Sequence, residues 1–195
     1  RTHYHLPTLA YARGGRMVDT VVFSPNLSIP LRGIITVDGE RYELDGDPGG
    51  QTHLFGRKHA YAWAWAHCNA FDDRPGVALE LLHVRLIRKG VKVPPMTIAV
   101  LRRPGEDLAF NRFDHALLGG RAETATGRVK FRAGGLTARL DGELSCAPAD
   151  LIRAHYHDPD GEERFCHFTA VGDLRLTLSR RVRGRWAVVD ELRAP

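Results

Sequence analysis

Long apolar runs are missing from this chain. No stretch approaches the roughly 20 residues that cross a bilayer as a helix, and Arg1 is not followed by the apolar segment of a secretory signal. These absences predict a cytoplasmic protein, with peripheral contact as the remaining membrane role. Cysteine is scarce: Cys68, Cys146 and Cys166 are the only three, at spacings that match neither a zinc knuckle nor a disulfide framework. Reduced thiols fit best, and a Cys146–Cys166 bridge is the less common alternative in a cytosolic setting. Helical periodicity is nearly absent. There is no glycine-rich phosphate loop, no Gly-x-Ser-x-Gly elbow and no His-Glu-x-x-His. Gly119-Gly120 and Gly134-Gly135 lack the strand-to-helix context that a phosphate loop needs. Nucleotide and hydrolase chemistries therefore drop out, and no cofactor is implied. No Ser/Gly/Pro-rich linker divides the 195 residues, so residues 1–195 read as a single domain.

What is present is alternation. From Val18 onward apolar and polar residues alternate with period two, and turn residues recur every eight to twelve positions. The predicted strands are 18–23, 31–37, 41–44, 61–71, 77–87, 97–103, 107–110, 127–133, 136–144, 151–156, 164–170, 173–180 and 186–191. The punctuation between them is that of hairpins, as in Asp38-Gly39, Arg103-Pro104-Gly105, Asp158-Pro159-Asp160-Gly161 and Arg183-Gly184. So many short antiparallel strands either stack as two sheets or close on themselves, and closure removes exposed edges. The expectation is an all-β, antiparallel barrel of about ten strands, wide enough to hold a ligand.

The formal charge is +5. Its cations cluster at Arg85, Arg88, Lys89 and Lys92 and again at Arg180, Arg181, Arg183 and Arg185. Solvated strand faces and turns account for such clusters better than an anionic membrane surface does, and nucleic acid comes third because no nucleic-acid motif accompanies them. No nucleic-acid partner is expected.

Residues 61–71 are the most informative. In a strand, Tyr61, Trp63, Trp65, His67, Asn69 and Phe71 share one face, while Ala62, Ala64, Ala66, Cys68 and Ala70 share the other. The small face allows close approach of another layer. The large face suits a pocket with apolar walls and two hydrogen-bonding groups, or else an aromatic core in which His67 and Asn69 are structural. The next strand pairs through an Asp-Asp-Arg-Pro-Gly turn and carries Glu80 among Ala78, Leu82 and Val84. Glu80 is either a buried acid with a raised pKa or, more commonly for glutamate, an outward-facing charge.

The stretch from Gly50 to Phe71 resembles the tocopherol cyclase signature without a gap. Phe55-Gly56 falls on that family's Trp-Gly, Trp63 and Trp65 on its Trp-x-Trp, and His67, Cys68, Asn69 and Phe71 on its Gln-Cys-Asn-x-Phe. Gly172-Asp173-Leu174-Arg175-Leu176 resembles a strand near the cyclases' C-terminus. Ser24-Pro25-Asn26-Leu27, Arg32-Gly33-Ile34 and Asp38-Gly39 look like the strand pair preceding the signature in carotenoid hydratases. Thr52 and His53 stand where the cyclase pattern has an acid and a lysine. The resemblance implies a lipocalin-like (calycin-type) barrel, the second of a tandem pair, with its partner barrel packed on the alanine face. It also implies a hydrophobic small-molecule ligand: an isoprenoid, a polyene or a prenylated aromatic.

Two functional classes follow. In the first, the chain catalyses cyclisation or hydration begun by protonating an alkene, which needs a protonated acid or imidazolium in a dry pocket and aromatic faces for the cation. The candidate catalytic residues are His67, His53 and Glu80, with Asp114 a weaker choice. In the second, the chain is a noncatalytic carrier or a structural barrel module. Tyr61, Trp63, Trp65, Asn69, Phe71 and Phe55 are the candidate ligand-binding residues in both. His155 and His157 share a strand face, but the sequence identifies no third ligand, so no metal site is expected.

Overall fold

A computed structural model describes residues 2–6, 20–72, 74–88 and 90–195. Val18, Asp19, Asp73 and Lys89, which fall in predicted strands, turns or clusters, lie outside the described residues. The described residues form β1 (His3–Tyr4), β2 (Thr20–Val37), β3 (Glu40–Gly56), β4 (Ala62–Cys68), β5 (Ala78–Arg85), β6 (Ile87–Arg88), β7 (Val91–Lys92) and β8 (Met96–Arg103). They continue with β9 (Glu106–Phe110), β10 (Arg121–Ala125), β11 (Arg128–Gly134), β12 (Ala138–Ser145), β13 (Ile152–His157), β14 (Glu163–Phe168), β15 (Asp173–Val182) and β16 (Arg185–Ala194). All are antiparallel. Among the described residues no helix is long and apolar enough to cross a membrane, and the three cysteines are free.

The all-β class expected from alternation is what the chain adopts. The strands fall into a three-stranded sheet β1-β2-β3, a four-stranded sheet β4-β5-β8-β9, a five-stranded sheet β10-β11-β12-β15-β16 and the hairpins β6-β7 and β13-β14; among the described residues no sheet closes on itself. Asp38 and Gly39 both have positive φ, as do Arg183 and Gly184. Two successive left-handed residues twist a tight turn in the sense the strands need, which is why these dipeptides join β2 to β3 and β15 to β16. The β2–β3 ladder shifts register between Phe23 and Asn26, between Asn26 and Ile29 and between Leu31 and Arg32. Pro25, Pro30 and Pro48 remove backbone donors along this ladder, so it tolerates bulges there.

The core lies between the four- and five-stranded sheets. Leu79, Leu81, Ala99 and Leu101 of the first meet Phe131, Leu140, Leu174, Leu176, Leu178 and Leu192 of the second. Each such side chain contributes roughly 1.5–3 kcal/mol by leaving water. In register, Cys68 sits beside Leu79 and Ala66 beside Leu81, so the alanine face of β4 points into this core and Ala66 and Cys68 pack against it. The layer that was expected from a partner barrel is therefore supplied by the chain's own five-stranded sheet. Phe71 also belongs to this core, because β4 ends at Cys68 and Phe71 no longer follows the strand's alternation.

Trp63, Trp65 and His67 oppose Val84, Leu82 and Glu80 on the far face. The three-stranded sheet covers part of that face, with Leu27 packed on Ala78 and Val100 and Leu6 in a cluster with Met96 and Ile98.

Gly142 of β12 shows how tightly the main core is filled. A Cβ there would lie 2.4 Å from Phe131 Cε1 and 2.6 Å from Leu176 Cδ2. Both neighbours are buried, so neither can move without disturbing others. Gly142→Ala is expected to destabilise the fold by roughly 1–3 kcal/mol, read as a lower midpoint in urea denaturation with an unchanged m-value.

Candidate functional site: a buried carboxylate beneath an aromatic strip

Glu80 is 1% exposed. The commoner expectation, an outward-facing charge, is thus overturned: β2 and β3 lie over this face of β5 and enclose the side chain. Four residues from four strands or strand ends converge on one of its oxygens. Ser24 Oγ donates to Oε1 at 2.7 Å, Trp65 Nε1 donates at 3.1 Å, Thr52 Oγ1 lies at 3.5 Å and His5 Nε2 at 2.9 Å. Ser24 Oγ and Thr52 Oγ1 are also 3.0 Å apart, which couples β2 to β3.

The state of Glu80 follows from these contacts. Burial alone would raise its pKa, but the His5, Ser24 and Trp65 hydrogen bonds favour the ionised form more strongly and hold the carboxyl well below its usual range. The raised pKa considered for a buried acid is therefore replaced by a lowered one. His5 Nδ1 faces the Val22 carbonyl at 3.2 Å while its Nε2 faces the carboxylate. Both of these groups are acceptors, and the two contacts of the His5 ring tie the segment after β1 to β2 and to the buried carboxylate.

One half of the site is saturated and the other is not. Glu80 Oε2 has no hydrogen-bond partner among the described residues, and neither ring nitrogen of His67 has one. His67 stands beside Glu80 in the β4–β5 register, its ring nearly parallel to that of Trp65 at 6.2 Å. Gly50 of β3 lies over this ring: a Cβ there would come within 2.9 Å of Nε2. Burial lowers the His67 pKa, and the nearby Glu80 charge opposes that only in part. Buried polar groups are nearly always satisfied, so a carboxylate oxygen and an imidazole left without partners mark a place suited to another polar group.

The other predicted residues distribute as follows. Asn69 donates through Nδ2 to the carbonyls of Gly49 at 2.8 Å and Leu27 at 3.4 Å, so it clamps the β2–β3 hairpin to the end of β4. His53 is exposed, stacked on Phe23 at 5.2 Å, and Phe55 meets the same Phe23 edge-on at 6.4 Å; both stand apart from Glu80. Trp63 stacks on His59 at 5.3 Å. Tyr61 and Trp65 are partly open to solvent. Asp114 is paired with Arg112 on the surface. The structure thus brings His67, Glu80 and Trp65 together and leaves His53, Phe55 and Phe71 elsewhere.

Sequence reasoning missed His3, His5, Ser24 and Thr52. Their signal was faint: an alternating His-Tyr-His and two hydroxyl residues, all distant in sequence from Glu80. His3 lies beside His5, ring to ring at 5.1 Å. Burial first, then the neighbouring His5, lower its pKa from 6.5 to about 4.

Two surface grooves, of about 470 and 210 Å3, lie elsewhere. The larger is lined by charged residues of the five-stranded sheet's outer face, including Arg121, Glu123, Lys130, Asp141, Glu143 and Arg175. The smaller adjoins Asp72, Asp173 and Arg193. None of the predicted site residues lines either one. No family model matches this chain, and neither a curated protein nor a solved structure shows significant similarity to it.

Two outcomes are expected here. Glu80→Ala removes the acceptor on which the buried Ser24 hydroxyl and the Trp65 indole converge and should cost roughly 2–5 kcal/mol in chemical denaturation. His3 is a base whose folded pKa lies below its unfolded value, so protonation favours release. The stability it leaves intact above about pH 6.5 should fall as the pH drops towards 4, by roughly 3 kcal/mol at most. His3→Phe should flatten that part of the stability-versus-pH curve.

Proposed function

We propose that this chain binds a hydrophobic small molecule whose apolar body lies along the Trp63–Trp65 strip and whose polar end donates a hydrogen bond to Glu80 Oε2. The observation that carries this reading is the buried, ionised carboxylate with one oxygen saturated and the other unpartnered, next to an unpartnered imidazole. A hydroxyl or phenol fits the pair: it donates to the carboxylate and can accept from His67. Isoprenoid alcohols, hydroxylated polyenes and prenylated phenols carry such a group on an apolar frame. This agrees with the ligand class implied by the resemblance to tocopherol cyclases.

The chemical states favour the carrier over the catalyst. Alkene protonation needs an acid that holds its proton at neutral pH. Glu80 is held ionised and burial moves His67 towards its neutral form, so neither is poised to give up a proton. In the alternative reading, the ligand's arrival displaces the balance and His67 acts as donor for cyclisation or hydration.

The architecture proposed with this function is a lipocalin-like barrel. The strands follow one another in the order β4-β5-β8-β9 and β10-β11-β12-β15-β16, and Asp72 N–H donates to the Arg193 carbonyl at 2.9 Å, next to the β4 and β16 edges. The β2–β3 arm exposes Ile35, Val37 and Tyr42, which share one face in its register. This apolar face suits a second barrel or peripheral membrane contact.

Native mass spectrometry of the protein purified from its own host, followed by extraction, tests the proposal. A bound apolar compound with a hydroxyl is expected, and the same compound should quench tryptophan fluorescence. Affinity should fall roughly tenfold or more in His67→Ala and Trp65→Leu. An empty protein that ignores a panel of isoprenols and prenylated phenols would refute the reading. Conversion of the ligand by the native chain but not by His67→Ala would move it to the catalytic alternative.

A further inference from the structure

We propose that the β13–β14 hairpin carries a surface site for a borderline divalent cation, with zinc as the reference ion, built from His155, His157 and Glu163. The site is independent of the ligand reading above. In the register of this hairpin His157 lies opposite Glu163, and His155 lies opposite Phe165. Two histidines at i and i+2 project from the same face of a strand, and the facing strand supplies the carboxylate. His155 Nε2 and His157 Nε2 approach the same Glu163 Oε1, at 3.7 and 3.8 Å, and the three donor atoms all lie within 4.8 Å of one another.

Surface carboxylates commonly pair with lysine or arginine, and the charges around this turn show that pairing next door. Glu162 takes Lys58 and Arg164, Asp160 takes Lys58, and the buried Asp158 takes Arg164 and the His59 backbone N–H. Glu163 is different: among the described residues, the nitrogen groups that its carboxylate meets within 4 Å are the two imidazole rings, not a lysine or an arginine. The cluster is also held in place. The His155 ring stacks on Phe165 with centroids 4.8 Å apart and 15° between planes, and the Arg153 guanidinium covers Phe165 at 4.2 Å.

Two imidazole nitrogens and one carboxylate oxygen form the donor set that zinc, nickel and copper(II) accept, and not one suited to calcium or magnesium. Metal–ligand bonds of about 2.0–2.1 Å require the three donors to draw together by roughly an ångström, which exposed side chains achieve by small rotations. A divalent ion held by two neutral imidazoles and one carboxylate keeps one positive charge and open positions for water. The gain for the protein is local. Among the described residues β13 and β14 pair only with each other, and isolated two-stranded hairpins are marginal in water; a cation bridging both strands would clip this one.

Titration of the tag-free full chain with zinc chloride at pH 7.5, followed by calorimetry and amide hydrogen exchange, tests the site. One equivalent should bind in the micromolar range, and exchange should slow in residues 152–168. Affinity should fall roughly tenfold or more in Glu163→Gln and be lost in His155→Ala/His157→Ala, with strand content by circular dichroism unchanged. Absence of binding at millimolar zinc would overturn the proposal. So would binding that survives the double variant and is lost instead in His3→Ala/His5→Ala.

Discussion

A glutamate placed on the apolar face of a sheet organises this molecule. Ionised and nearly inaccessible to water, Glu80 must be compensated by partners that no single strand can supply. Ser24 and Thr52 come from the long β2–β3 hairpin, Trp65 from the adjacent strand and His5 from the chain's beginning. The docking of the three-stranded layer on the four-stranded sheet is therefore a matter of charge satisfaction as much as of apolar burial. Among the described residues the apolar contacts on this side are Leu27 on Ala78 and Val100, and Leu6, just after β1, in a cluster with Met96 and Ile98. The main core, by contrast, is mostly leucine, alanine and phenylalanine with Val77, and the buried polar pair on its face of β5 and β8, His83 and Thr97, hydrogen-bonds internally at 2.9 Å. One molecule thus contains a largely apolar interface and one built around a carboxylate, on opposite faces of the same four strands.

The two faces of β4 show what alternation reveals and what it hides. The partition of Tyr61 to Cys68 into a bulky and an alanine face was legible, and the strand keeps it. Which face would meet the main core was not legible, because small and large residues can both be buried. Glu80 was misjudged for a related reason. Its neighbours on the face, Ala78, Leu82 and Val84, did suggest burial, but a buried carboxylate is stable only with donors, and those donors lie 15 to 75 positions away in the chain with no local mark. Asn69 was correctly singled out as special, yet its partners are the carbonyls of Leu27 and Gly49, and backbone partners leave no trace in side-chain pattern. His53 was selected by its place in a motif, and the pleat of β3 turns Thr52, not His53, towards Glu80.

Strand detection failed where propensity was poor. Residues 45–51 of β3 contain three glycines, a proline and two aspartates, a composition that reads as loop, yet they pair with β2 through a ladder interrupted by bulges. β10 was missed because Arg121 to Ala125 has little apolar character; it is held by β11 and faces water with its charged side. In both cases the tertiary partner overrides a weak local preference.

The proposed ligand role rests on the same buried carboxylate as the fold: one oxygen of Glu80 anchors the layer, and the other, without a donor among the described residues, is the one proposed to receive the ligand. The decisive property is that Glu80 stays charged in the folded chain. Its carboxyl carbon, observed by NMR in protein carrying 13C-labelled glutamate, reports this directly. The account predicts that the Glu80 resonance remains that of a carboxylate well below pH 4 and shifts when a hydroxyl-bearing apolar ligand is added. A resonance that titrates at or above the ordinary glutamate range would contradict it, because a protonated Glu80 would no longer be the ionised acceptor on which Ser24 and Trp65 converge and to which the proposed ligand would donate.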